Sequence, residues 1–405
     1  MNDPIELALS SAVALSALIW LVLIFFRGDF WRDGPYISDH MPAPRAMDWP
    51  QVVAVVPARN EAETIAATIA SLSAQDYPGA FSIVLVDDQS EDGTAARARD
   101  AAGGTRQLAI VTGRPLPAGW SGKMWAVSQG VAKAREIAPD ATYLLLTDAD
   151  ITHDAPVLRQ LVAKAERDSL VLASHMVMLR CTSFWERLLI PAFIFFFKKL
   201  YPFAWINDPK NKVAGAAGGC MLVRADALER AGGIESIKHE IIDDCALARV
   251  LKPIGPIWLG LTKSSHSLRS YDRLSEIWTM VTRTAFVQLK HSLWLLAGTV
   301  LGMVIIYLVP PVVAFVAFFT DSLHIALGAF VVWLVMAASY APTLRLYDQR
   351  IGWGLLLPLA ALLYTCMTVA SAYRTIAGSG PQWKNRHYGA DNSAATKNRE
   401  PAGRG

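Results

Sequence analysis

Apolar residues fall into two kinds of run along this chain: long ones near the ends and short ones in the middle. Leu7–Phe26 is uncharged over twenty residues, which suffices to cross a bilayer as a helix. Ser292–Phe319, Leu323–Tyr340 and Ile351–Ala372 are comparable. The pattern predicts an N-terminal anchor within residues 1–30, membrane segments within 292–373, a polar domain over 45–290 between them, and a polar tail over 378–405. The leading segment holds Asp3 and Glu6 and no Lys or Arg, which argues for an uncleaved anchor over a signal peptide. Arg27, Arg32 and Lys290 flank the inserted domain and place residues 27–291 on the cytoplasmic side. Acidic Asp321 suits an outside turn. Parity then puts the tail outside, although it holds Arg374, Lys384, Arg386, Lys397, Arg399 and Arg404. Either the tail escapes the charge rule or one segment does not cross. Pro310, Pro311 and Pro358 allow a kinked or re-entrant course.

In the middle, Val52–Val56, Ile83–Val86, Leu108–Val111 and Tyr143–Leu146 read as short buried strands. Helices are expected over Glu61–Ala74, with Asn60 and Glu63 as a capping box, and through Gly93–Ala102, with Ser90 as cap. Two more are expected over Met124–Ala138 and Ala155–Asp168. Strands alternating with helices predict an α/β domain with a mostly parallel sheet. No G-x-G-x-x-G follows the first strand, which argues against a dinucleotide site of the usual kind. Phe184–Trp205 is aromatic, with Pro191 near its middle and Lys198 and Lys199 near its end. It reads as a helix lying in the membrane interface, with a core helix as the alternative.

Charge sharpens the picture. The net charge is only +3 and the basic residues are scattered, so nothing points to nucleic acid. The four cysteines show no metal-ligand spacing and read as thiols in a reducing compartment. The acids are organised: Glu61, Asp87 with Asp88, and Asp148 with Asp150 each follow a predicted strand, and Asp243 with Asp244 opens a helical segment. Ligands of open α/β sheets bind beyond the carboxyl ends of the strands. Carboxylates gathered there repel one another, and a divalent cation is the usual remedy.

The motifs P-A-R-N-E (Pro57–Glu61), V-D-D-Q-S-E-D-G-T (Val86–Thr94), D-A-D (Asp148–Asp150) and D-D-C-A-L-A (Asp243–Ala248) resemble those of family 2 glycosyltransferases of the GT-A, nucleotide-diphospho-sugar transferase fold. G-W-S-G-K (Gly119–Lys123) and the loop Gly215–Arg224 fit as well. The anchor-plus-spans layout is similar to the ceramide glucosyltransferase subgroup, and most of all to the hopene-associated enzymes of bacterial hopanoid pathways. The resemblance implies an inverting transfer from a nucleotide-sugar, UDP-linked in the first instance, to a lipid hydroxyl at the bacterial inner membrane. It implies Asp150 with Asp148 as ligands of Mg2+ or Mn2+, and Asp88, Pro57, Arg59, Glu61 and Lys123 as nucleotide and phosphate contacts. It also implies Asp244 as base with Asp243 beside it, and Gly218 and Gly219 in the acceptor loop. Of the family's Q/R-x-x-R-W only Arg283 is present. His153 and His266 are weaker candidates for a metal or phosphate contact. A processive synthase with an export conduit and a non-catalytic scaffold with a vestigial site are the other classes open to this sequence.

Overall fold

The computed structural model describes residues 4–37, 48–103, 107–320, 322–378, 382–383 and 386–387. Asp321 and most of the tail lie outside the described residues. The strands are β1 (Val52–Ala58), β2 (Phe81–Asp87), β3 (Gln107–Thr112), β4 (Tyr143–Leu146), β5 (Ile151–His153), β6 (Leu172–Met178), β7 (Met221–Arg224) and β8 (Ile257–Ser267). They form one sheet in the order β3-β2-β1-β4-β7-β6-β8-β5. β1 pairs in parallel with β2 and β4, and β2 with β3. β7 runs antiparallel between β4 and β6, and β6 is parallel to β8. β1, β2, β3, β4, β6 and β8 therefore end on one edge of the sheet, and β7 begins there.

The β-branched run of β1 explains its place at the centre. Alternate side chains leave a strand on opposite faces. Val53 and Val55 enter one core with Val127 and Val131 of the helix Gly122–Ile137. Val52, Ala54 and Val56 enter the other, with Ile65 and Ile69 of the helix Ile65–Ser73 and Leu158 and Leu161 of the helix Val157–Arg167.

The four predicted strands are present and four more join them. β7 lies inside the stretch expected to be a loop, Gly215–Arg224. The Asn60–Glu63 capping box is absent: the helix begins at Ile65 with Thr64 at its cap, and Asn60 has φ of 50°. Ser90 does not cap its helix, which Gly93 precedes. The two residues instead tie adjacent loops together. The Asn60 N–H donates to Ser90 Oγ (3.0 Å), and the Glu91 N–H donates to Asn60 Oδ1 (3.0 Å).

Four helices are long and apolar enough to cross a membrane: Pro4–Phe26, Leu293–Phe319, Leu323–Leu346 and Ile351–Ile376. They share a core containing Trp20, Tyr307, Met336, Tyr340 and Met367. Pro310 has no N–H to offer the Ile306 carbonyl one turn earlier. The Trp20 indole donates to that carbonyl instead (3.0 Å), and the surrounding turn, Val304–Leu308, widens to a π-helix.

The segment expected in the membrane interface forms the helices Phe184–Leu200 and Phe203–Asn207. Ser183 and Glu186 form a capping box on the first. Ile190 and Ile194 enter one core of the sheet domain, while Leu188, Leu189, Ala192 and Phe195 enter the core of the apolar bundle. The helix thus occupies the junction of domain and bundle, with protein against both long faces.

Candidate active site

The loops leaving the sheet edge carry the acids. β1 hands over to Arg59 and Glu61, β2 to Asp88, β4 to Asp148, and β8 to Arg269. Asp88 is fully buried, and its N–H donates to the Ala58 carbonyl (2.8 Å), locking it against the end of β1. The Arg59 guanidinium donates to the Asp88 carbonyl and lies 3.8 Å from its carboxylate. Asp87 faces its own loop and accepts from the Ser90 N–H (3.1 Å).

Lys123 stands in the first turn of Gly122–Ile137, whose N-cap is Ser121. Its Nζ is 2.8 Å from Asp148 Oδ1 and 3.1 Å from Asp243 Oδ2. Burial works against the ammonium, but Asp148 and then Asp243 outweigh it and hold Lys123 above its ordinary range. Burial raises the Asp148 carboxyl, Lys123 opposes, and the neighbouring Asp150 and Asp243 charges add to the rise. Pro57, Lys123, Asp148, Gly218 and Asp243 line one cavity.

Asp244 follows Asp243 at the start of the helix Asp243–Leu251. Its Oδ2 accepts from the Gly218 N–H (3.0 Å) and its Oδ1 from the Cys245 N–H (2.7 Å). Those bonds favour the carboxylate, yet burial first and Asp243 second push its pKa up to about 6. A Cβ on Gly218 would lie 3.5 Å from both Asp244 Oδ2 and Lys123 Nζ, so only hydrogen borders the space between them. Gly219 is required for another reason: a Cβ there would meet Val177 at 2.9 Å. Its carbonyl accepts from Thr147 Oγ1 (2.8 Å).

Arg269 was not foreseen. Its Nε donates to Asp150 Oδ2 (2.8 Å), and a terminal nitrogen donates to Glu61 Oε1 (2.9 Å). The residue follows β8, a strand hidden by its polar second half. Recognising that strand would have placed Arg269 at the ligand edge. Burial raises the Tyr271 hydroxyl, the Arg269 charge opposes, and the Asp150 charge adds to the rise. Arg283 is exposed and forms no ion pair within 4.0 Å among the described residues. His153 is buried between Thr147 Oγ1 (3.0 Å) and Ser265 Oγ (2.8 Å), and burial lowers it to about 4, which describes a neutral structural imidazole. His266 sits exposed on β8.

Glu61, Asp88, Asp148, Asp150 and Asp243 therefore each lie beside a protein cation, while Asp244 is held by backbone N–H groups. Among the described residues, no three acidic, His or Cys side chains form a ready cage for an ion. Asp148 and Asp150 still suit one. Magnesium-type ions take one or two carboxylates and complete their shell with phosphates and water. Glu61, Asp148, Asp150, Asp243 and Asp244 outnumber Lys123 and Arg269, leaving a local excess of negative charge.

Residues 53–232 match the family described as Glycosyl transferase family 2. A mannosyltransferase from Pyrobaculum calidifontis, solved in complex with GDP-Man and Mn2+, is 17% identical, with 91% of this chain and 98% of that one covered and a TM-score of 0.50. A glucosyl-3-phosphoglycerate synthase from Mycobacterium tuberculosis, solved with Mg2+ and UDP, is 18% identical, with 60% and 79% covered and a TM-score of 0.39. No curated protein matches the chain. Residues 53–232 thus form a glycosyl transferase family 2 domain, and the mixed, mostly parallel sheet is GT-A-like. The protein is accordingly an enzyme of the glycosyltransferase class.

Proposed function

We propose that this enzyme transfers a sugar from a nucleotide diphosphate donor, a UDP-sugar in the first instance, to a hydroxyl of a membrane lipid, with inversion. The observation that carries this reading is that Lys123, Asp148, Asp243 and Gly218 line one cavity, with Asp244 held beside it by the Gly218 N–H. Asp244 accepts the proton of the acceptor hydroxyl as its oxygen attacks the anomeric carbon and the nucleotide diphosphate departs. Asp88 and Arg59 hold the nucleoside end, while Lys123 and Arg269 supply positive charge for the phosphates. A divalent ion held by Asp148 and Asp150 would add charge neutralisation for the leaving diphosphate. Tyr271 packs against both the catalytic core and the bundle core, which favours an acceptor that arrives from the membrane. A hopanoid is the leading acceptor by family resemblance, with ceramide-like and polyprenyl-phosphate lipids next. The test is purified enzyme with a panel of nucleotide sugars and extracted bacterial lipids. Nucleotide release that needs both a divalent ion and a lipid supports the reading; release with water-soluble acceptors alone overturns the lipid acceptor.

A carboxylate with a pKa near 6 acts as a base only once ionised. kcat/KM is therefore expected to rise with pH through about 6 and level off near 7. A rate flat from pH 5 to 7 would assign the proton to another group.

The same reading sets the membrane topology: catalytic domain and tail on the cytoplasmic face of the bacterial inner membrane. Glu6 accepts from Ser322 Oγ, marking the far side of the bundle. Both ends of Ile351–Ile376 instead contact the inserted domain. Trp353 packs on Phe184 with centroids 5.8 Å apart. Ser371 Oγ donates to the Thr282 carbonyl (2.6 Å), and Arg374 donates to Thr282 Oγ1 (3.1 Å). A crossing helix would separate its ends by about 30 Å of hydrocarbon. We therefore read Ile351–Ile376 as lying along the cytoplasmic interface, which leaves three crossings and brings the basic tail into line with the charge rule. A cysteine placed after Gly378 in intact cells is expected to resist membrane-impermeant maleimide; ready labelling from outside would restore the fourth crossing.

A further inference from the structure

Arg269 joins two loops by forming an ion pair with an acid on each. Its guanidinium spans Asp150, after β4, and Glu61, after β1, at 2.8 and 2.9 Å. Its backbone is held at two successive N–H groups. The Leu268 N–H donates to the Asp150 carbonyl (2.8 Å), and the Arg269 N–H donates to Ser267 Oγ (3.3 Å). The side chain alone can therefore swing while the loop stays fixed.

We propose that Arg269 is a latch, holding Asp150 and Glu61 in the empty enzyme and releasing them when a divalent ion and the donor diphosphate arrive together. The proposal rests on the reading of Asp148 and Asp150 as the ion site. A guanidinium and a divalent ion on one carboxylate repel each other, so an ion arriving alone must expel Arg269 from a carboxylate pair with no new partner for it. A diphosphate supplies that partner, since the planar guanidinium fork matches phosphate oxygens as well as carboxylate oxygens. Ion and nucleotide then bind with positive coupling, and the coupling is reciprocal. The latch also keeps the two loops in register before substrate arrives, so the empty site does not splay under its own negative charge.

The test is Mn2+ titration of the full-length protein in detergent, followed by the free-ion EPR signal, with and without UDP or GDP. Arg269→Gln is expected to tighten Mn2+ alone about tenfold, within the range of roughly 5–150-fold usual for coupled sites. The factor by which nucleotide tightens Mn2+ should shrink toward one. Arg269→Lys, which keeps the charge but cannot fork across two carboxylates, should fall between and covers the case in which Arg269→Gln does not fold. If Arg269→Gln binds Mn2+ alone no tighter than wild type while Asp150→Asn loses it, the latch is wrong and the ion site stands. If Asp150→Asn binds Mn2+ unchanged, the ion-site reading falls and takes the latch with it.

Discussion

Asp244→Asn is expected to lower the transfer rate by about 10²–10⁴-fold, the usual contribution of a positioned general base, while nucleotide binding stays near wild type. The substitution keeps shape and removes proton affinity. Two backbone N–H groups, from Gly218 and Cys245, now point at the carboxylate oxygens. An amide can satisfy one through its oxygen but turns its NH2 toward the other, which costs about 1–3 kcal/mol locally. A loss of rate alone would therefore be ambiguous, and the pH profile separates the causes. A lost base removes the rise in rate near pH 6, whereas a merely displaced helix lowers the whole profile and preserves its shape. Retention of wild-type rate in Asp244→Asn would end the case for this residue. Nucleotide affinity, measured by calorimetry on the same protein, guards against a collapsed pocket.

How far the sequence reached depended on what each segment had to bury. β1, β2 and β4 are buried over their apolar runs, so unbroken Val, Ile and Leu runs announced them, and the acids that follow fell on the ligand edge as expected. β8 was invisible because its second half, Thr262–Ser267, alternates polar side chains between buried Ser265 and exposed Lys263 and His266. With the strand went Arg269. The caps failed for a backbone reason. Asn60 and Ser90 have the side chains of N-caps, but Asn60 adopts a left-handed φ, and the two bond each other's loops. The pairing of Lys123 with Asp148 and Asp243 joins segments far apart in the chain, and no local pattern encodes it. Motif order foretold which residues gather; it did not foretell that protein cations would sit between them.

That arrangement makes Lys123 the other position of large effect. Its ammonium fills the gap between Asp148 and Asp243, with four-fifths of the side chain covered. Breaking a fully buried pair by removing one partner costs about 3–5 kcal/mol. Asp148 keeps a third of its side-chain surface, so Lys123→Met is expected to cost less, about 1–3 kcal/mol, because water screens part of the exposed repulsion. Activity should fall further, by about 10²-fold, since the variant also loses a cation aimed at the diphosphate. The two effects come apart in a double variant. Adding Asp243→Asn to Lys123→Met removes one of the two repelling carboxylates. It should recover most of the lost stability, with a coupling energy of about 0.5–3 kcal/mol as seen for groups in contact. Activity should stay low, because nothing restores the cation. Thermal unfolding and initial rates on the same preparations measure both. If the double variant regains activity along with stability, Lys123 only neutralises its neighbours. If neither variant loses stability, the ammonium is not what holds these carboxylates together.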